Sequence, residues 1–165
     1  MKTNVLAVLV ENRAGTLSRV AGLFSRRGFN IDSLTVGETE DKNISRMTIS
    51  VSGDDAVLEQ IVKQLGKLVD VISIRQLEDS CIKREILLVK VQSNEKNRSA
   101  IVEVASIFRS RVIDISASTI TIEATGSFDK LNGLLQLLRP YGILELARTG
   151  LVALERGSRV LSKDE

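Results

Sequence analysis

Histidine and tryptophan are absent from this 165-residue chain, cysteine and proline occur once each, and aromatic side chains make up only 3% of it. Without histidine there is no Ser-His-Asp or Cys-His nucleophilic site and no Cys/His zinc site, and a lone Cys81 allows no intramolecular disulfide. Cys81 reads as an inert linker thiol, or one that bridges two chains on oxidation. The aromatics are Phe24, Phe29, Phe108, Phe128 and Tyr141, too few on strands to stack bases. A net charge of +2 gives no electrostatic case for a nucleic-acid binder. No apolar run approaches the length of a membrane span and no signal-peptide pattern opens the chain, which points to the cytoplasm.

Apolar residues, by contrast, are plentiful at 43%, enough to bury real cores in one domain or two small ones. Residues 4–10 read as the first strand, in which the run from Val5 to Val10 puts hydrophobic side chains on both faces, so that it must be covered on both sides. A polar turn with Gly15 follows, then Leu17, Val20, Ala21 and Phe24 at helical spacing to about Arg27, with Gly28 placed to end the helix. Residues 30–37 and 45–52 read as the next two strands, joined by a polar hairpin at 40–43. In the latter, Met47, Ile49 and Val51 alternate with Arg46, Thr48 and Ser50. Asp54 caps a second helix with Leu58, Ile61, Val62 and Leu65 on its apolar stripe, and residues 69–77 close the unit.

The order βαββαβ then recurs. Residues 85–92 form a strand, and Ile101, Val104, Ala105 and Phe108 repeat the spacing of Leu17, Val20, Ala21 and Phe24. Short strands are expected at 112–116 and 119–124. Ser127 caps a helix carrying Phe128, Leu131, Leu135 and Leu138, Pro140 ends it, and residues 144–154 form the closing strand. The pattern predicts an α+β protein of two ferredoxin-like sandwiches. Their expected limits are 1–78 and 84–165, with a linker at 79–83 and a frayed charged tail at 162–165.

Gly15 sits where a strand hands over to a helix N-terminus, whose unpaired N–H groups and positive dipole end suit an anion such as a carboxylate. A glycine here is equally read as only a turn. The second copy places Ser99 at the corresponding position and dispenses with the glycine, which favours a site in the first copy alone. The second strand reads as a sheet edge with no proline or lysine to block pairing, so two copies would join there about a two-fold axis. A break in alternation between Ile31 and Leu34 suggests a bulge or interface position. Pairing of this kind would bring Asn30 of one chain, able to donate and accept, to the Gly15 turn of the other. Asn30 also suits the turn after Gly28. Arg13, Arg19, Arg26 and Arg27 form a basic helix side, read first as a solvated face.

The run from Asn12 to Val20 resembles the ligand loop of ACT domains. Residues 22–36, 45–49, 64–71, 84–91 and 145–150 resemble the regulatory (small) subunit of acetohydroxyacid synthase, over almost the whole chain. That resemblance implies a subunit with no catalytic site, which binds and activates the catalytic large subunit and confers feedback inhibition by valine. It implies a homodimer through the N-terminal domains, with valine at their interface. The implied effector residues are Asn12, Ala14, Gly15, Thr16 and Leu17 from the loop, with Asn30, Ile31, Thr35, Val36 and Gly37 completing the pocket. Ala14 stands where many such loops have proline and Gly37 where a small side chain is common, leaving valine, isoleucine and leucine open as effectors. Thiamine diphosphate, Mg²⁺ and any flavin would belong to the partner, and no metal site is expected here. The alternative is a free-standing amino-acid sensor for another enzyme or a transcription factor.

Overall fold

In the computed structural model, which describes residues 3–164, two units each build a sheet covered by two helices. The first contains residues 1–82 together with 150–165; the second contains residues 83–149. The sequence reading placed the whole of 84–165 in the second domain. The returning segment joins the first unit because it covers that unit's second sheet face.

The first unit runs β1 (Thr3–Glu11), α1 (Thr16–Arg26), β2 (Ser33–Glu38), β3 (Ile44–Ser52), α2 (Asp55–Leu65) and β4 (Val71–Gln76). Its sheet order is β2-β3-β1-β4, so β2 is an edge strand as expected. Every residue of β1 from Asn4 to Val10 is buried. Leu6, Val8 and Val10 face the helices with Met47, Ile49 and Val51, and pack on Val20, Leu23 and Phe24 of α1 and Leu58, Ile61 and Leu65 of α2. Burial of a side chain such as Phe24 or Ile61 contributes about 1.5–3 kcal/mol. Asp54 caps α2 by accepting from the Val57 N–H at 2.9 Å. Gly28 takes a left-handed conformation (φ 70°) beyond α1, where the Phe29 N–H reaches Phe24 O at 3.0 Å. Strand β2 begins three residues later than expected, so the break at Ile31 marks the approach to the strand, and β2 pairs with β3 without a register shift.

The other face carries Val5, Ala7 and Leu77, and here Leu151, Ala153 and Leu161 pack against them. The expected strand 144–154 is therefore interrupted: β8 (Ile143–Arg148) ends in the second unit, and β9 (Val152–Leu154) belongs to the first. Gly150 marks the change. A Cβ there would stand 2.6 Å from Thr35 Oγ1 and 2.8 Å from Leu34 O, so the segment reaches the sheet only because residue 150 has no side chain. Leu151 N–H donates to Ser33 Oγ (3.3 Å), Arg46 to Ala153 O (2.8 Å) and Arg75 to Val160 O (2.9 Å). Gly150→Ala should push this segment outward at a cost of about 1–3 kcal/mol, read as a lower midpoint in urea with an unchanged fold by circular dichroism. Cys81 lies in the same layer, 6% exposed, and is a packed core thiol, not an open linker thiol. Ile82 already opens the next strand, which shortens the expected linker. Lys163 reaches Asp41 at 2.6 Å and holds its carboxyl below the usual value, so this end of the expected frayed tail is docked. Glu165 lies outside the described residues.

The second unit contains β5 (Ile82–Gln92) from Lys83 onward, α3 (Arg98–Ile107), β6 (Arg111–Ile115), β7 (Thr119–Gly126), α4 (Phe128–Leu138), a 3₁₀ turn at Arg139–Tyr141, and β8. The strand order β6-β7-β5-β8 repeats the first unit's topology. Leu87, Val89 and Val91 pack on Ile101 and Ala105 of α3 and on Leu131, Leu134, Leu135 and Leu138 of α4. Ser127 caps α4, accepting from the Lys130 N–H. Two expected stripe residues are exposed: Phe128 at 57% and Leu17, on α1, at 46%. Each stands in its helix's first turn, beyond the sheet that the later turns cover.

Candidate functional site

The geometry at the head of α1 is built by Gly15. It takes φ 87°, ψ −12°, the left-handed region, at the N-cap position, and no side chain caps the helix. The first turn also contains no acidic residue. Thr16 is buried and turns its hydroxyl to Glu11 O at 3.1 Å, and its N–H is taken by Arg13 O. Beyond it the helix start keeps donors and a positive dipole end, and among the described residues no side chain caps them.

The second unit treats the same place differently. Asn94 Oδ1 accepts from the N–H groups of Lys96 and Asn97 at 2.9 and 3.0 Å, and Arg98 N–H donates to Asn94 O. An asparagine loop there consumes donors before α3 starts, with a right-handed Asn97 as N-cap. An added amino acid should therefore leave the amide resonances of residues 94–99 unmoved in a heteronuclear NMR titration of the intact chain, while those of 13–18 shift.

Around Gly15 the side chains are tied down. Asn12 Nδ2 donates to Lys42 O at 2.8 Å and to Glu38 Oε1 at 3.2 Å, which fixes the loop to the far end of β2 and leaves its Oδ1 as an acceptor. Arg19 pairs with Asp70 through Nε, and its terminal nitrogen lies 2.8 Å from where a Cβ on residue 15 would stand. A cation thus leans over the glycine. By local spacing Arg19 belongs to a solvated face; its partner Asp70 lies 51 residues away, and no local pattern carries that pairing.

The remaining expected residues divide. Ala14, Leu17 and Val36 are exposed, Leu17 and Val36 offering apolar surface at 46% and 41%. Val36 pairs with Met47, on the helix-facing side, while Thr35 and Gly37 pair with Thr48 and Arg46 on the other. Thr35 lies under Gly150, its hydroxyl buried and with no partner among the described residues. Period-two alternation in the sequence already separated Thr35 and Gly37 from Val36. Ile31 packs on the first unit's core. Asn30 donates to Asp32 at 3.0 Å and follows the C-terminal end of α1, about 16 Å of helix away from Gly15. One chain does not bring Asn30 and Gly15 together.

A βαββαβ sandwich whose first strand passes through a left-handed glycine into an uncapped helix defines an ACT domain, and the family comparisons agree. A model of the "AHAS small subunit-like ACT domain" matches residues 6–73, and one of the "Small subunit of acetolactate synthase" matches residues 84–157. A probable acetolactate synthase small subunit from Methanothermobacter thermautotrophicus is 53% identical over 96% of this chain and 96% of its own length. The acetolactate synthase small subunit of Mycolicibacterium smegmatis is 53% identical over 95% of this chain and 93% of its own. The crystal structure of the acetolactate synthase small subunit from Thermotoga maritima superimposes with a TM-score of 0.91 at 39% identity, covering 96% of this chain and 100% of that one. The chain belongs to the acetolactate synthase small-subunit family.

Proposed function

We propose that this chain is the non-catalytic regulatory subunit of an acetolactate synthase. It binds and activates a catalytic large subunit and confers feedback inhibition by valine. The observation that carries the effector reading is the left-handed, uncapped helix start at Gly15, with Leu17 and Val36 as apolar surface. The names of the relatives support the large-subunit partner. Thiamine diphosphate, Mg²⁺ and any flavin reside on that partner.

The pocket is completed by a second copy. Glu38, at one end of the edge strand β2, holds Asn12. Antiparallel pairing of two β2 strands about a two-fold axis sets the opposite end of the partner's strand, and with it Asn30 of the partner subunit, beside that loop. The Oδ1 of the asparagines would receive the ammonium of the amino acid, and the N–H groups beyond Thr16 its carboxylate. Inhibition follows by linkage: valine favours one arrangement of the paired domains, and the large subunit is activated unequally by the two. A coupling of about 1–3 kcal/mol gives a 5- to 150-fold effect. The test is calorimetric titration of the intact chain with valine, followed by valine inhibition of the large subunit with and without it. No saturable heat, or equal inhibition of the large subunit alone, would sink this reading.

A further inference from the structure

The first unit holds a second concavity on the opposite sheet face from α1. It measures about 390 Å³, within the range of sites for small ligands. Its floor is Arg46 of β3, Arg75 of β4 and Leu77 just beyond that strand; its roof is the returning segment, through Leu154, Arg159, Val160 and Leu161. Arg46 stands beside Leu9 and Arg75 beside Ala7 in the sheet register, so both project from the same face across β1.

Arg46 is the anomaly. It is half-buried, its guanidinium donates to the Ala153 carbonyl at 2.8 Å, and its Nε is fully buried with no acceptor among the described residues. Among the described residues no carboxylate lies within ion-pair distance of it. Of the two acids in the lining, Glu155 accepts from the Glu78 N–H at 2.9 Å and Glu40 is exposed to solvent. Arg159 is paired with Glu78. Burial, and then the neighbouring charge of Arg75, hold the Arg46 guanidinium below its usual value. A cation taken out of water without a counter-charge is destabilising, and a planar guanidinium is matched best by a two-oxygen anion.

We propose that this cavity is a second ligand site, which takes a compact oxyanion, a carboxylate or phosphate, carried on a small metabolite. Arg46 and Arg75 receive the anion, and Leu77, Leu154 and Leu161 accept an apolar portion. The roof is the segment that docks through Gly150, so the bound anion fastens that segment to the sheet. The site is independent of the Gly15 turn, which lies at the helix-covered side.

The test uses the full chain and three probes: isobutyrate, inorganic phosphate and neutral isobutyramide. Calorimetry and the Nε–H resonances of the arginines are followed together. The expected result is saturable binding of one anion with shifts at Arg46 and Arg75, none with the amide, and an affinity lowered about tenfold or more in Arg46→Gln. Arg75→Gln serves as the second variant should the first fail to fold. The stronger of the two anions assigns carboxylate or phosphate. Non-saturating responses, shifts confined to residues 13–18, or unchanged affinity in a folded variant overturn the proposal. Valine binding is measured separately, so its absence leaves this result standing or falling alone.

Discussion

With valine held at the Gly15 turn as proposed, Gly15→Asp will weaken its binding by roughly a hundredfold or more while the domain stays folded. At φ 87° an aspartate is among the few side chains that the left-handed region tolerates, at about 1 kcal/mol. Its Cβ would meet only the far end of Arg19, a flexible group that can shift and pair with the new carboxylate. The fold therefore survives. The effector does not fare so well, because the place its carboxylate would take then holds a negative charge. Losing charge-assisted hydrogen bonds costs about 1.5–3 kcal/mol, and a like charge near 4 Å adds about 1–4 kcal/mol; together these exceed the equivalent of a hundredfold. Gly15→Asn separates charge from shape, since it has the same size and the same backbone tolerance with no charge. Calorimetry should rank wild type, Asn and Asp in falling affinity with a wide gap before Asp. Equal losses in Asn and Asp would mean that the site is steric only. Wild-type affinity in Asp would place the anion elsewhere.

Much of this arrangement is legible in sequence because it is local. The apolar stripe of α2, the caps at Asp54 and Ser127, the alternation of β3 and the left-handed Gly28 each lie within one or two turns of chain. What stayed hidden depends on distant partners. Arg148, Thr149 and Gly150 interrupt the apolar residues between 144 and 154, but nothing local in them says that one unit's strand ends there and that Gly150 passes the chain to the other. The apolar run from Val5 to Val10 in β1 announces that both faces are covered; it does not say that residues 151–161 supply the cover. Leu17 and Phe128 fit their helical stripes by spacing, yet spacing does not show where the sheet underneath stops. Arg46 illustrates the same limit. On an alternating strand it reads as a solvent-facing charge, and only the returning segment turns that face into an interior.

Glu85→Leu should destabilise the second unit by about 3 kcal/mol or more. In β5 the inward row is Glu85, Leu87, Val89 and Val91, so a carboxylate stands at the end of a row that is otherwise hydrocarbon. It is there for Arg148 of β8: the two form an ion pair with side chains only 10% and 24% exposed. Arg148 also donates to Asn132 Oδ1 at 3.1 Å and lies 4.8 Å from the Phe128 ring centre. This ties α4 to the sheet and explains why an exposed aromatic occupies the first turn of that helix. Removing the carboxylate leaves a mostly buried guanidinium without its counter-charge, the situation that costs about 3–5 kcal/mol. The remaining contacts to Asn132 and Phe128 place the expectation at the lower end. Replacing both members by apolar groups, Glu85→Leu with Arg148→Met, removes the charge along with its partner and should recover most of the loss. Urea unfolding of wild type, the two single variants and the double variant measures this cycle. A double variant no more stable than Glu85→Leu would show that the pair's worth lies in packing, and that charge balance at the end of this core decides nothing.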